Sequence, residues 1–324
     1  MTHAIRIHQY GGPEVLQWEA VSVGAPGKGE VRLRHTAVGL NFIDVYQRTG
    51  LYPLGDFPQT LGMEAAGVVE AAGEGVTDLA EGDRVAYAMV LGAYATERLI
   101  DASKLVKLPD SLSDETAAAM MLQGMTARYL LKSSYPVQSG DAILVMAAAG
   151  GVGTLLTQWA NHLGVSVIGC VGSEEKARLA REQGCQHTIL YNQEDVAARV
   201  RDITGGEGVA AVYDSVGQAT LVASLDSLRP TGTLVSFGSA SGPITDFNLG
   251  LLAQKGSLYV QRPTLGTYVR NRALLTECAN DLIDVVVQGI VKVQIGQRYA
   301  LNDVAQAHED LEARKTTGAT VLLP

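Results

Sequence analysis

Six small residues, Ala148-Ala149-Gly150-Gly151-Val152-Gly153, have the spacing of a phosphate-binding turn. They match G-x-G-x-x-G with alanine at the first glycine, after the apolar run 142–147 and before an apolar helical stretch at 154–163. With no bulky side chain in the way, the backbone can approach a pyrophosphate, whose charge is met by free amides and the positive end of the helix dipole. Gly150, Gly151 and Val152 are the expected contacts. Taken alone, such a hexapeptide could equally be a tight helix-packing turn. The strand before it, the helix after it and a second strand at 165–171 favour a nicotinamide dinucleotide.

A site for NAD carries Asp or Glu about 20 residues on, at the end of the second strand, where it binds the ribose 2′-hydroxyl. Here that position reads Val171-Gly172-Ser173-Glu174-Glu175-Lys176. The strand closes on Gly172 and Ser173; Ser173 can hydrogen-bond a 2′-phosphate and Lys176 can pair with its charge. The alternative makes Ser173 a plain N-cap with Glu174 and Glu175 complementing the helix dipole, but Lys176 in that first turn then opposes it. The balance predicts NADPH. Tyr191, after the third strand, can cover the same phosphate or serve as a sheet-edge aromatic. Gly217, Phe237 and Gly238 close later strands, at the carboxyl ends where cofactors lie. Gln123 and Thr126, at the start of the helix leading into this region, can hydrogen-bond the nicotinamide carboxamide or merely pack. Tyr46 and Tyr52 flank Gly50-Leu51 and can stack on a substrate ring, donate a proton, or line an apolar edge.

The elements that must hold these residues fall into two textures. Up to about residue 120, short apolar or alternating runs such as 30–38 and 66–71 are punctuated by turns, Gly11-Gly12-Pro13, Gly73-Glu74-Gly75 and Glu81-Gly82-Asp83 among them, which predicts a β-rich unit. At Ser113-Asp114-Glu115-Thr116 a polar cap and acidic first turn precede a helix expected over 117–131. From Ala142 strand and helix alternate: strands at 142–147, 165–171, 188–190, 209–213 and 232–237, helices at 154–163, 174–183, 194–203 and 219–228. Continuous apolar strands alternating with amphipathic helices predict a parallel sheet covered on both faces, a doubly wound α/β domain. A helix at 270–288, a strand near 291–295, a helix at 301–313 and a closing strand at 320–323 follow. That last strand can return to the first sheet and make the first domain discontinuous.

At 324 residues the chain exceeds one ordinary core, so two are expected. The 34 acidic against 25 basic side chains give a formal charge of −9, which on average repels phosphate backbones and anionic lipid, so nucleic acid is a poor partner. Three cysteines without a CxxC pair argue against a disulfide framework and for a reducing compartment. The amino terminus has no secretory h-region and no 18-residue stretch is continuously apolar, so a cytoplasmic protein is expected.

The segments Gly11-Gly12-Pro13-Glu14-Val15-Leu16, Gly39-Leu40-Asn41-Phe42-Ile43-Asp44, Gly50-Leu51-Tyr52-Pro53, Gly62-Met63-Glu64-Ala65-Ala66-Gly67, Gly82-Asp83-Arg84-Val85 and the turn at 147–153 resemble the zinc-free quinone oxidoreductases, the zeta-crystallin-like branch of the medium-chain dehydrogenase/reductases. The resemblance runs from end to end, through Gln254-Lys255-Gly256 to Gly318. It implies a GroES-like β-rich catalytic domain at 1–121 and 267–324 and a Rossmann NADP-binding domain at 122–266, and a homodimer joined through the edges of the Rossmann sheets. It places Asn41, with Phe42 and Asp44 of the same segment, near the nicotinamide; the other reading is an ordinary strand-end turn in which Asp44 caps or orients. Arg262 and Arg314 resemble positions that meet the cofactor phosphates, although lone arginines are ordinarily surface ion-pair partners. In zinc-dependent relatives a cysteine stands in the segment matching 39–44 and a histidine precedes the glutamate matching Glu64. This chain has Asn41 and Met63, and no cysteine before Cys170, so no metal is expected.

Without a Lewis acid, such a site suits acceptors that take hydride readily, and an oxyanion left on them needs donors. NADPH-dependent reduction of quinones is the expectation, with Asn41, Tyr46 and Tyr52 the candidates to act on the acceptor. An NADPH-dependent enone, enal or enoyl-thioester reductase would share the cofactor site and differ only in the pocket. A non-catalytic NADPH-binding protein with a sensing or RNA-binding role is a third reading, which the acidic charge disfavours. No histidine pair suggests a general acid, and His308, on an amphipathic helix, reads as structural.

Overall fold

The computed structural model describes residues 1–324, which divide into two compact units. The first comprises Met1–Met125, Val269–Ile283 and Val293–Pro324; the second comprises Thr126–Tyr268 and Asp284–Lys292. In chain order the elements begin β1 (His3–Ile7), β2 (Gln17–Ala20), β3 (Glu30–Leu40), α1 (Phe42–Thr49), β4 (Gln59–Thr60), β5 (Glu64–Ala72), β6 (Arg84–Ala88), β7 (Glu97–Asp101), β8 (Val106–Lys107), α2 (Asp114–Ala118) and α3 (Met121–Tyr129). They continue β9 (Ala142–Met146), α4 (Gly151–His162), β10 (Ser166–Val171), α5 (Glu174–Glu182), β11 (His187–Leu190), α6 (Val196–Ile203), β12 (Val209–Asp214), α7 (Leu221–Asp226), β13 (Leu228–Ser236), α8 (Gly250–Gln254), β14 (Tyr259–Gln261) and α9 (Leu265–Tyr268). Last come α10 (Arg272–Val287), β15 (Ile295–Ala300), α11 (Val304–Glu312) and β16 (Ala319–Leu323).

The first unit is the expected β-rich GroES-like fold. Its main sheet has seven strands in the order β15-β16-β3-β5-β6-β8, with β7 also paired to β3, and a smaller sheet runs β2-β1-β4. The closing strand does return: β16 pairs antiparallel with β3, Val321 opposite Gly39 and Thr320 opposite Leu40. Along β3 the first half alternates, with Val31 and Leu33 inward and Arg32 and Arg34 outward, while residues 37–40 are buried on both faces. That switch from one-sided to two-sided burial delivers Asn41 into the interior. Leu33, Val38, Leu61, Val69, Tyr87, Tyr94, Val304 and Leu322 belong to one continuous core. Each fully buried Leu, Val or Phe-sized side chain contributes about 1.5–3 kcal/mol relative to exposure.

The second unit is a six-stranded parallel sheet in the order β11-β10-β9-β12-β13-β14, the doubly wound arrangement expected from the alternation of elements. Its order reverses between β9 and β12, and the carboxyl ends of these two strands frame the crevice in which such folds bind ligands. Leu144, Met146, Ile168, Ile189, Val212 and Leu234 form its core with Leu225 of α7 and Val200 of α6.

Two expected elements are altered, and α8, β14 and α9 fall where no element was expected, β14 adding a sixth strand to the five expected. The helix expected over 117–131 is broken into α2 and α3, followed by a wide π-type turn over Leu130–Ser134. The break has a use: the Leu122 amide at the start of α3 donates to the Glu64 side chain at 2.6 Å, which an unbroken helix would forbid. The strand expected near 291–295 instead begins at Ile295. Val291 N–H bonds the Val285 carbonyl at 3.0 Å, closing the end of α10 behind Gly289, so its backbone cannot also join a ladder.

Candidate functional site

Asn41 is the N-cap of α1 in extended conformation, and Asp44 in the first turn accepts its N–H at 2.9 Å. Its side chain turns elsewhere. Nδ2 donates to Glu64 Oε2 at 2.7 Å, and Oδ1 accepts from Gln123 Nε2 at 3.1 Å. Glu64, at the start of β5, is fully buried, and its Oε1 takes the Leu122 amide. Burial pushes the Glu64 carboxyl up to about 8; Asn41 and the Leu122 and Met121 amides pull it down, and nearby Asp44 raises it. Burial likewise pushes Asp44 up to about 7, opposed by the Asn41 N–H and the Tyr94 hydroxyl. Gly39 is required under this cluster, because a Cβ there would lie 2.3 Å from the Ala118 carbonyl oxygen and 2.5 Å from a Glu64 carboxylate oxygen. Gln123 Oε1 and Asp44 Oδ1 are buried and have no hydrogen-bond partner.

A second layer fixes Asp44. The Arg48 side chain, 1% exposed, forks onto both Glu312 oxygens at 3.0 and 2.8 Å and donates from Nη1 to His308 Nδ1 at 3.0 Å. Arginine only donates, so His308 Nδ1 is the acceptor and the ring carries its proton on Nε2. That proton points to the Tyr94 hydroxyl at 3.1 Å, which donates in turn to Asp44 Oδ2 at 2.9 Å. Burial and the Arg48 charge push His308 down to about 3, keeping it neutral at ordinary pH. His308 is structural, as expected, and its part is to direct the Tyr94 hydroxyl proton at Asp44.

Tyr46 and Tyr52 meet edge to face with ring centroids 5.1 Å apart, and Phe42 lies 6.1 Å from Tyr46, so the aromatic residues of this segment form one group. Tyr46 is buried and Tyr52 half-buried. Gln123 and Thr126 lie three residues apart on α3 and therefore on one side of that helix.

In the second unit, β9 passes through Ala147, whose φ is +56°, into the glycine turn, and Gly150 is the N-cap of α4. No side chain caps α4 and its first turn has no acidic residue, so its positive end carries no built-in anion. A Cβ on Gly153 would lie 2.5 Å from the Ala147 carbonyl oxygen and 2.8 Å from Ala148 Cα, so only glycine lets α4 leave the strand this closely. At the end of β10, Ser173 Oγ accepts the Lys176 amide at 3.3 Å as the N-cap of α5. The Tyr191 hydroxyl lies over Gly172, 2.5 Å from where a Cβ would be. Gly172, Ser173, Lys176 and Tyr191 are thus gathered at the carboxyl ends of β10 and β11.

Beside them, Asp214 at the end of β12 organises the next loop. Its Oδ1 accepts the Val216 and Gly217 amides at 2.7 and 3.1 Å, and its Oδ2 accepts the Thr220 and Ser224 hydroxyls, each at 2.7 Å. Gly217 has φ +97°, and a Cβ on Gly238 would fall 2.3 Å from the Ser215 carbonyl oxygen. Phe237 N–H bonds the Asp214 carbonyl, and Arg262 donates to the Ser236 carbonyl at 3.1 Å and to Ser239 Oγ at 3.4 Å. Arg314 lies in the other unit, in left-handed backbone just past α11. Nothing in the sequence marks Arg48 or Tyr94, whose partners are distant in the chain, and Glu64 is marked only by its place in the segment Gly62-Met63-Glu64. Asp214 does leave a trace: an Asp closing an apolar strand before Gly, Thr and Ser at turn spacing.

Two family models match the chain, one described as the alcohol dehydrogenase GroES-like domain over residues 27–110, the other as zinc-binding dehydrogenase over residues 151–282. A quinone oxidoreductase of Pseudomonas aeruginosa is 52% identical over 325 residues, covering 100% of both chains. The chain belongs to the quinone oxidoreductases of the medium-chain dehydrogenase/reductases. The crystal structure of Escherichia coli quinone oxidoreductase complexed with NADPH is 46% identical, covers 100% of both chains and superposes with a TM-score of 0.98. Within the same family, a 2-haloacrylate reductase from a Burkholderia species is 47% identical over 100% of this chain and 99% of its own.

The zinc in the second family's description does not fit the residues present. Zinc takes three or four N, S or O ligands. Here Asn41 is committed to Glu64 and Gln123, Met63 offers a thioether 3.2 Å from Gln47 Nε2, and no group of three His, Cys, Asp or Glu side chains has metal-holding geometry. Within the second unit, the start of α4, uncapped and with glycine clearance at Gly153, suits the pyrophosphate of a dinucleotide.

Proposed function

We propose that this chain is an NADPH-dependent quinone reductase working without a metal. The observation that supports the cofactor choice is the end of β10, which closes on Gly172 and Ser173 without a carboxylate, with the Tyr191 hydroxyl over Gly172 and Lys176 in the first turn of α5. When bound, NADPH supplies a hydride. Gly150, Gly151 and Val152 would hold its pyrophosphate at the start of α4. Ser173, Lys176 and Tyr191 would hold the 2′-phosphate, with Arg262 and Arg314 further phosphate partners. Gly217, Phe237 and Gly238 would line the crevice, and Thr126 and Gln123 would hold the nicotinamide carboxamide. Asn41, Phe42 and Asp44 would shape the nicotinamide end, and Tyr46 and Tyr52 would stack on the quinone and donate to its developing oxyanion. The catalytic part is assigned to 1–121 and 267–324 and the cofactor domain to 122–266.

The Burkholderia 2-haloacrylate reductase favours a second acceptor class, alkenes activated by an electron-withdrawing group, since both classes take hydride at an electron-poor carbon or ring. NADPH oxidation with 1,4-benzoquinone, 9,10-phenanthrenequinone and an alkenal tests the reading. Turnover with the quinones supports it, turnover with the alkenal alone selects the second, and tight NADPH binding with no turnover on any acceptor overturns the enzyme assignment.

We further propose a homodimer through β14. This edge strand is paired to β13 on one side only, and Tyr259 and Val260 on it are exposed. Three buried cysteines without a CxxC pair support a cytoplasmic location.

A further inference from the structure

We propose that Glu64 is a positioning residue that sets the polarity of the Asn41–Gln123 amide pair, so that the atom left open, Gln123 Oε1, is an acceptor for an N–H of a primary carboxamide. The inference rests on the reading of that pair as the nicotinamide end. An ionised carboxylate can only accept, so Glu64 Oε2 obliges Asn41 to present Nδ2 to it, which turns Asn41 Oδ1 toward Gln123. That oxygen obliges Gln123 to present Nε2, and Gln123 Oε1 is left facing outward from the chain of bonds, buried and unpartnered. Glu64 cannot swing away, because the Leu122 amide holds its other oxygen and Gly39 packs against it. A buried carboxylate two amides away thereby decides whether the site offers an oxygen or an NH2 group.

Glu64→Gln tests this with little change of shape. A glutamine that keeps its oxygen on the Leu122 amide presents NH2 to Asn41; Asn41 turns over, Gln123 follows, and the open atom becomes a donor. The probes are NADPH and its reduced 3-acetylpyridine analogue, whose methyl ketone has no N–H. Dissociation constants are read by calorimetry at about pH 9, above the value near 8 to which Glu64 is raised. The wild-type chain should prefer the carboxamide by about tenfold, the worth of one buried hydrogen bond. Glu64→Gln should reduce that ratio to about one or invert it. The double variant Glu64→Gln with Asn41→Asp moves the carboxylate to the middle of the chain, obliges Gln123 to donate again, and should restore the preference.

The wild-type chain alone provides a second measurement. Below about pH 8 a protonated Glu64 can donate to Asn41 Oδ1, so the ratio should shrink as pH falls to about 6.5. Of the groups around it, Asp44 on α1 titrates near 7, whereas Tyr94, raised well above 10, and His308, near 3, do not titrate in this range; Arg48 faces His308 and Glu312. A tenfold wild-type preference that survives in Glu64→Gln, fails to return in the double variant, or does not change with pH overturns the role of Glu64 and leaves the nicotinamide reading intact. No preference in the wild-type chain overturns both.

Discussion

Asp214→Asn should weaken the second unit in a way that can be worked out bond by bond. The carboxylate accepts four bonds, two from the Val216 and Gly217 amides and two from the Thr220 and Ser224 hydroxyls, and it is 1% exposed. Asparagine keeps one oxygen. The stiffer backbone donors will claim it, and the new NH2 group will face two hydroxyls. Those hydroxyls can rotate: Thr220 Oγ already shares its proton with the Gly217 carbonyl at 3.1 Å. The cost is therefore the loss of charge assistance in two amide bonds and the rearrangement of two hydroxyl bonds, about 2–3 kcal/mol in all. For a unit of this size that corresponds to a melting temperature lower by about 5–10 °C, followed by circular dichroism without cofactor. NADPH affinity should fall by about tenfold, since the loop carries Gly217 beside the crevice. A change below about 0.5 kcal/mol with unaltered affinity would mean that Asp214 does not hold this loop.

Four buried groups set the pH dependence of stability. Asp44 and Glu64 are raised from 3.8 and 4.5 to about 7 and 8, so their contribution is complete below the lower values and is lost as pH rises through the higher. His35 and His308 are lowered from 6.5 to about 4 and 3, so the unfolded chain gains protons first and stability falls as pH drops below 6.5. Urea midpoints should peak in the mildly acidic range and decline toward pH 9; a midpoint rising steadily from acid to pH 9 would contradict the two carboxyl shifts. Val260→Lys, on the open edge of β14, should convert a dimer to monomer in light scattering, and an unchanged mass would move the interface elsewhere. Activity should survive prolonged chelation, and a stoichiometric metal by elemental analysis would overturn the metal-free chemistry.

The second unit is the more legible in sequence because its signals are local. Residues 142–153 announce strand, turn and helix within one stretch, since backbone clearance at Gly153 and uninterrupted apolar burial in β9 each demand particular residue types. The interior of the first unit is different. Glu64 stands in the sequence only as part of a family-like segment ahead of the strand expected at 66–71, and its contacts depend on Leu122, 58 residues on, and on Asn41, 23 back. Arg48 and His308 are 260 residues apart and meet only because β16 returns to β3 and brings α11 with it. The break between α2 and α3 follows from the same distant carboxylate, which helix propensity over 117–131 cannot register.

The most direct test is kcat/KM for NADPH and for NADH with 9,10-phenanthrenequinone, in the wild-type chain and in Lys176→Ala. The wild-type chain should turn over with NADPH strongly preferred. Lys176→Ala should lose about 10- to 100-fold with NADPH, the worth of a charge-assisted phosphate contact, while NADH is little changed. Equal losses with both cofactors, or no oxidation of NADPH by the wild-type chain, would contradict a quinone reductase built around the 2′-phosphate.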